Sequence, residues 1–265
     1  HLLNQFAMDE WNGTLRVATT YGKVPQPDTS NEVWTLAPRG DHGLIPLARL
    51  SGIAPQEDLR AIRFDGDRGY LVTFKKTDPL FTLDLQDGRA PRVLGELKIP
   101  GFSTYLHRLD PTHLMSIGFD ADDHGGFAYF NGLLLQLFDV TDPVNPRLVA
   151  RETLGTRGSA SEAATDHLAF NYLPQRGLLA IPATLCEGGG DGNYGSRLTF
   201  SGLVLFKVDP RSGFSKLGGI DHGGRGQSCQ TWWSQSKSQV KRSVFIDDQV
   251  FSIALDRIRV QRLGS

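Results

Sequence analysis

A unit of four short runs, each apolar or alternating and each closed by Gly, Asp or Pro, recurs along this chain of 265 residues. The clearest copy opens at Ala61-Ile62-Arg63-Phe64, turns at Asp65-Gly66-Asp67-Arg68-Gly69 and continues as Tyr70 to Phe74. It then runs through Leu80 to Leu85, turns at Asp87-Gly88 and ends with Arg92 to Leu97. Two further full copies begin at Tyr105 and His167, an earlier one at Gln5, and a last one at Ser243 stops after three runs. Alternation between turn residues reads as antiparallel strands. Four-stranded units recurring at roughly 45 to 65 residues are the pattern of a β-propeller. The expected fold is therefore all-β: four complete blades and a partial fifth in one domain, with blades at about 4–53, 59–100, 103–154, 166–220 and 241–265. A β-sandwich would not explain the Asp-Pro turns that recur after third runs, at Asp142-Pro143 and Asp209-Pro210.

Charge narrows the function classes. The formal net charge is -1 and no run of Lys or Arg stands out. A nucleic-acid or anionic-membrane surface needs such a patch to neutralise phosphates. No apolar stretch approaches the roughly 18 residues of a membrane-spanning helix.

Several motifs carry a resemblance. Asn4 to Glu10 with Leu15 to Thr20, Tyr70 to Phe74 with Asp78-Pro79-Leu80, Ser103 to His107, and Ser161-Glu162-Ala163 with Asp166-His167 are spread over nearly the whole chain. Together they resemble the secreted bacterial and archaeal β-propeller proteins described as distant relatives of the WD-repeat proteins. Those proteins are typically longer, with sequence before the Asn-Gln-Phe motif, so this chain is similar to their C-terminal half. The resemblance implies the fold and a secreted, periplasmic or cell-surface location; it implies no activity. The three-run fifth unit leaves a sheet edge exposed, and such an edge invites pairing. Missing N-terminal chain, a partner or a strand from His1 to Leu3 is expected to cover it.

In a blade whose strands A to D run outward from the channel, A–B and C–D turns share one face. B–C loops and blade-to-blade connections share the other. The first set is short; the second holds every long segment, at Tyr21 to Asn31, Phe119 to Asn131, Gly155 to Thr165, Cys186 to Ser201 and Asp221 to Val240. Long loops on a rigid scaffold are where binding sites gather. The expected function is thus a binding or interaction module whose long-loop face meets a protein, a saccharide or another small molecule.

Aligning the A runs puts Gln5, Arg60, Arg63, Tyr105, His107, Asp166, His167 and Arg242 around the channel mouth on that face. Such groups recognise carboxylates, phosphates or sugars; each could equally bond a neighbouring blade's backbone. Trp232-Trp233, in a polar segment, either stack on a ligand or pack their loop down. Asp120, Asp122 and Asp123, before Gly125, read as a calcium loop or as a solvated acidic turn, since no Glu occupies the twelfth position. A hydrolase at the mouth, built on Tyr105, His107, Asp166 and His167, is the alternative, and a structural module of a larger envelope protein is another. Glu162 could pair with Asp166, and Ser159 and Ser161 lie nearby, but no nucleophile motif accompanies them. Asn12-Gly13-Thr14 reads as a turn.

The two cysteines lie outside apolar runs. Cys186 falls in a B–C loop and Cys229 in the following blade connection, on one face and side by side. A Cys186–Cys229 disulfide is expected, and with it an oxidising compartment.

Overall fold

The computed structural model describes the chain except residues 25, 42, 75–77, 100, 124–127, 224–227 and 264–265, together with the side chains at 78, 122, 123 and 128. Period-two patterning dictates the architecture. The first sheet runs β1 (Met8–Trp11), β2 (Thr14–Tyr21), β3 (Ser30–Pro38) and β4 (Leu44–Ile53). The second holds β5 (Asp58–Asp65), β6 (Arg68–Phe74), β7 (Asp78–Asp84) and β8 (Arg92–Ile99). In the third are β9 (Phe102–Asp110), β10 (His113–Asp123), β11 (Ala128–Asp139) and β12 (Arg147–Leu154). The fourth comprises β13 (Asn171–Leu173), β14 (Leu178–Glu187), β15 (Arg197–Asp209) and β16 (Gly213–Asp221). A fifth has β17 (Val240–Ile246), β18 (Gln249–Ala254) and β19 (Ile258–Arg262), three strands among the described residues. Each sheet is an antiparallel meander of consecutive strands, which is a propeller blade.

The core explains why the strands are so apolar. Alternate residues on one strand feed different interfaces, because successive side chains point to opposite faces of a sheet. On β14, Leu179, Ile181, Ala183 and Leu185 join Met115, Ile117 and Leu135 of blade 3, while Leu178 and Ala180 join Val240 and Val250 of blade 5. On β6, Leu71 packs with Val33 and Ala18 of blade 1, and Val72 with Leu106 and Phe138 of blade 3. Four apolar clusters thus fill the four seams between successive blades.

Threonines reinforce two seams. Thr35 of β3 donates to the carbonyl of Gly88, in the next blade's outer turn, and Thr82 of β7 donates likewise to that of Pro143. Both threonines are fully buried. Thr82→Val keeps the shape and leaves the Pro143 carbonyl without this donor. The variant should lose on the order of 1–3 kcal/mol, read as a lower urea midpoint at unchanged slope. An unshifted midpoint would show that water replaces the bond.

Three local features differ from the sequence expectation. The runs at Gln5 and His167 do not begin as strands: 3-10 turns occupy Gln5–Ala7 and His167–Ala169. Asn4 and Asp166 cause this, since their side chains accept from the Phe6 and Leu168 amides and cap each turn. The segments after Phe119 and Cys186 are less loop than expected, because β10–β11 and β14–β15 continue past bulges to Asp123↔Ala128 and Glu187↔Arg197. They rise from the face as hairpins, favoured by residues such as Tyr129, Phe130, Leu198 and Phe200. Finally, His1 exchanges backbone bonds with Thr20 inside blade 1, so residues 1–3 are not the fifth sheet's fourth strand. Asn12 and Gly13 both adopt positive φ, as a two-residue turn between β1 and β2 requires.

Candidate functional site

The two capped turns face one another across the channel. The Phe6 ring lies 4.8 Å from His167 of blade 4, edge-on, and 5.5 Å from Tyr105 of blade 3. The Arg63 guanidinium of blade 2 sits 5.5 Å from the same ring. One phenylalanine therefore touches three other blades, and the axis is aromatic where it meets them. Gln5 Nε2 donates to His167 Nδ1 at 3.1 Å, so the His167 proton is on Nε2. Tyr105 Oη lies 3.1 Å from His107 Nδ1, and Phe170 and Tyr172 flank the His107 ring at 5.1 and 5.8 Å. Burial, helped by the charge of Arg63, lowers the His107 pKa to about 4, so its imidazole is neutral at pH 7. Burial also pushes the Tyr105 phenol up, against Arg63. Gln5, Arg63, Tyr105, His107 and His167 thus gather in one place.

The other residues of the expected ring are taken up by ion pairs. Arg60 pairs with Asp58 at 3.1 Å and lies 4.8 Å over the ring of Trp233. Burial pushes the Asp58 carboxyl up despite that partner. Glu162 meets Lys241 at 2.7 Å and Asp166 meets Arg242 at 2.6 Å, both cations opening β17. Burial opposes the Asp166 charge, but the Leu168 amide and Arg242 outweigh it and hold the carboxyl low. These pairs fasten blade 4 to blade 5. Ser159 accepts from the Cys186 amide and Ser161 donates to the Pro182 carbonyl, and both serines are buried. Among the described residues no serine bonds His107 or His167, so their geometry assembles no Ser-His-acid triad.

A second group forms at the long loops. Cys186 and Cys229 are bonded, with Cα atoms 5.8 Å apart. The bond holds the segment before β17 over the end of β14, and Ser236 Oγ accepts from the Ser161 amide to continue the attachment. Trp233 consequently reaches inward, packing edge-on against Phe102 at 5.0 Å and Phe130 at 5.8 Å. Its neighbour Trp232 points out and is 42% exposed. Beside it the Arg157 guanidinium is enclosed by Tyr194 at 4.6 Å, Tyr129 at 5.3 Å and Trp232 at 6.0 Å. Sequence reasoning missed Arg157, Tyr129 and Tyr194. Glycine at 192 makes room for this group, since a Cβ there would stand 2.5 Å from the Tyr129 ring.

The calcium expectation falls largely outside the described residues, which exclude the Asp122 and Asp123 side chains. Asp120 pairs with Arg151. No three His, Cys, Asp or Glu among the described residues gather as a metal site, and no described helix is long and apolar enough to cross a membrane.

The model of the family described as "Beta propeller domain" matches residues 1–265. An uncharacterised protein of Methanocaldococcus jannaschii is 41% identical over 261 residues, which are 98% of this chain and 35% of that protein. One from Archaeoglobus fulgidus is 38% identical over 182 residues, 69% of this chain and 26% of its own length. The chain therefore spans about a third of the first relative and a quarter of the second. Among solved structures, Sqt1 of Chaetomium thermophilum bound to the N-terminus of ribosomal protein L10 is similar at 12% identity and a TM-score of 0.46. The likeness covers 94% of this chain and 68% of that one.

Proposed function

Because the chain belongs to the beta propeller domain family, we propose that it works as a rigid interaction module whose long-loop face meets a protein or saccharide partner. One observation carries this. Tyr129, Arg157, Tyr194 and Trp232 come from four segments far apart in sequence, yet they meet on that face beside the Cys186–Cys229 bond. A half-buried guanidinium among tyrosine rings, with Trp232 exposed at its edge, suits sugar rings or planar groups of a partner. Rigidity supports the reading, since a pre-ordered surface gives up less entropy on binding. The disulfide supports a secreted, periplasmic or cell-surface setting.

The test is retention on a saccharide array and on an immobilised extract of the source organism's secreted proteins. Trp232→Ala should lower retention at least tenfold, the loss of a central aromatic anchor being worth about 2 kcal/mol or more. Arg211→Ala, in the turn on the opposite face, should leave it unchanged. Retention lost with Arg211 and kept without Trp232 would assign the function to the other face, and no retention of any kind would end the proposal.

A further inference from the structure

The channel holds a charge that the fold does not neutralise. Arg16, Arg49, Arg60, Arg108, Arg151 and Arg242 each face a carboxylate. Arg63 faces none among the described residues; its one close partner is the Phe6 ring. A cavity of about 230 Å³ opens beside it, lined by Gln5, Phe6, Met8, Asp9, Arg63 and Phe64. Asp9, the one acid in that lining, is engaged by the fully buried Arg16, so the local charge stays positive.

The neighbouring polar groups are donors. Gln5 spends its amide hydrogen on His167 Nδ1, which leaves His167 Nε2–H turned elsewhere. Tyr105 Oη meets His107 Nδ1, and His107 Nε2 is likewise turned elsewhere. Neither Nε2 has a partner among the described residues. The apolar wall of the cavity is Phe6, Met8 and Phe64, and Tyr105 packs behind Phe6 at 5.5 Å. A guanidinium fork matches the two oxygens of a carboxylate, the His167 N–H adds a donor, and ring faces suit a carbon skeleton.

We propose that the propeller channel binds a small organic carboxylate, its oxygens on Arg63 and its apolar part against Phe6 and Met8. The site lies apart from Trp232 and goes beyond the loop-face reading, standing or falling without it.

Benzoate, succinate, citrate and acetate are the probes, followed by thermal shift and calorimetry on the full chain at pH 7. Sodium chloride at matched ionic strength, inorganic phosphate and benzamide serve as comparisons. At least one carboxylate should raise the melting temperature saturably, and benzamide should not. Arg63→Gln should weaken that carboxylate tenfold or more, while Arg211→Ala binds it unchanged. Arg63→Lys, which keeps the charge without the fork, should retain part of the affinity and guards against a folding defect in Arg63→Gln. The assignment is overturned if no carboxylate shows saturation, if sodium chloride or benzamide matches it, if phosphate binds more tightly, or if Arg63→Gln binds as well as the parent.

Discussion

Between pH 7 and pH 4 the folded chain should lose on the order of 3 kcal/mol through His107 alone. In the fold, burial and the charge of Arg63 hold its pKa at about 4, against an ordinary 6.5. The unfolded chain takes up a proton at the higher value, the folded chain only at the lower. The contribution of the neutral imidazole is therefore complete above pH 6.5 and disappears as the pH falls through 4. Carboxylates act in a lower window. Hydrogen bonds from Thr141, with Arg147 beyond them, hold Asp139 at about 2, and Asp84 and Asp110 are lowered as well. Their stabilisation is present above the ordinary carboxylate range and fades only below about pH 4. Urea midpoints taken every half unit should hence show two separated declines. His107→Gln should shrink the upper one to what His222, also lowered by burial, contributes, and spare the lower. Parallel curves for variant and parent, or an imidazole titrating near 6.5 by NMR, would remove His107 from the account.

Reduction of Cys186–Cys229 should be comparably costly. The bond closes a loop of 43 residues, and in the chain-entropy model a loop of that size is worth about 3 to 4 kcal/mol. Part of the loss should be local. Residues 228–238 have little core of their own and are fixed by the disulfide, by Ser236 and by the insertion of Trp233. Dithiothreitol should therefore lower the melting temperature and shift tryptophan emission to the red as Trp233 leaves Phe102 and Phe130. Gly158→Ala should reproduce both effects without touching a cysteine. Gly158 has φ +96°, and a Cβ there would stand 1.8 Å from the Cys229 carbonyl oxygen, so the segment carrying Cys229 must move. Thiol counting on the denatured, unreduced chain provides the check: two reactive thiols would mean that the bond does not form in solution.

The blades were legible because both faces of a blade are buried, so strand after strand is apolar and only turn residues interrupt it. The cysteine pair was legible from topology. What was not legible depends on where side chains go after the backbone is set. Asn4 and Asp166 look like strand-flanking polar residues until each is seen capping a turn, and those turns bring Gln5, Phe6 and His167 to the axis. Glu162 and Asp166 resemble a ligand-binding group because their partners, Lys241 and Arg242, open a strand more than 70 positions away. Tyr129, Arg157 and Tyr194 carry no periodic signal at all; they meet only once two hairpins and a disulfide-held segment converge.

The seams between blades also set how disturbances spread. Each blade is a meander of consecutive strands whose apolar clusters join it chiefly to its neighbours in sequence, so the molecule approximates a one-dimensional array of coupled units. A defect in the cluster holding Leu71 should loosen blades 1 and 2 in hydrogen exchange and fade before blade 4. Phe6 and Gln5 break that rule. They join blade 1 to blade 4 across 162 positions of sequence, a connection with long-range closure entropy behind it. The axis of the propeller is thus where an otherwise nearest-neighbour solid becomes cooperative over its whole arc.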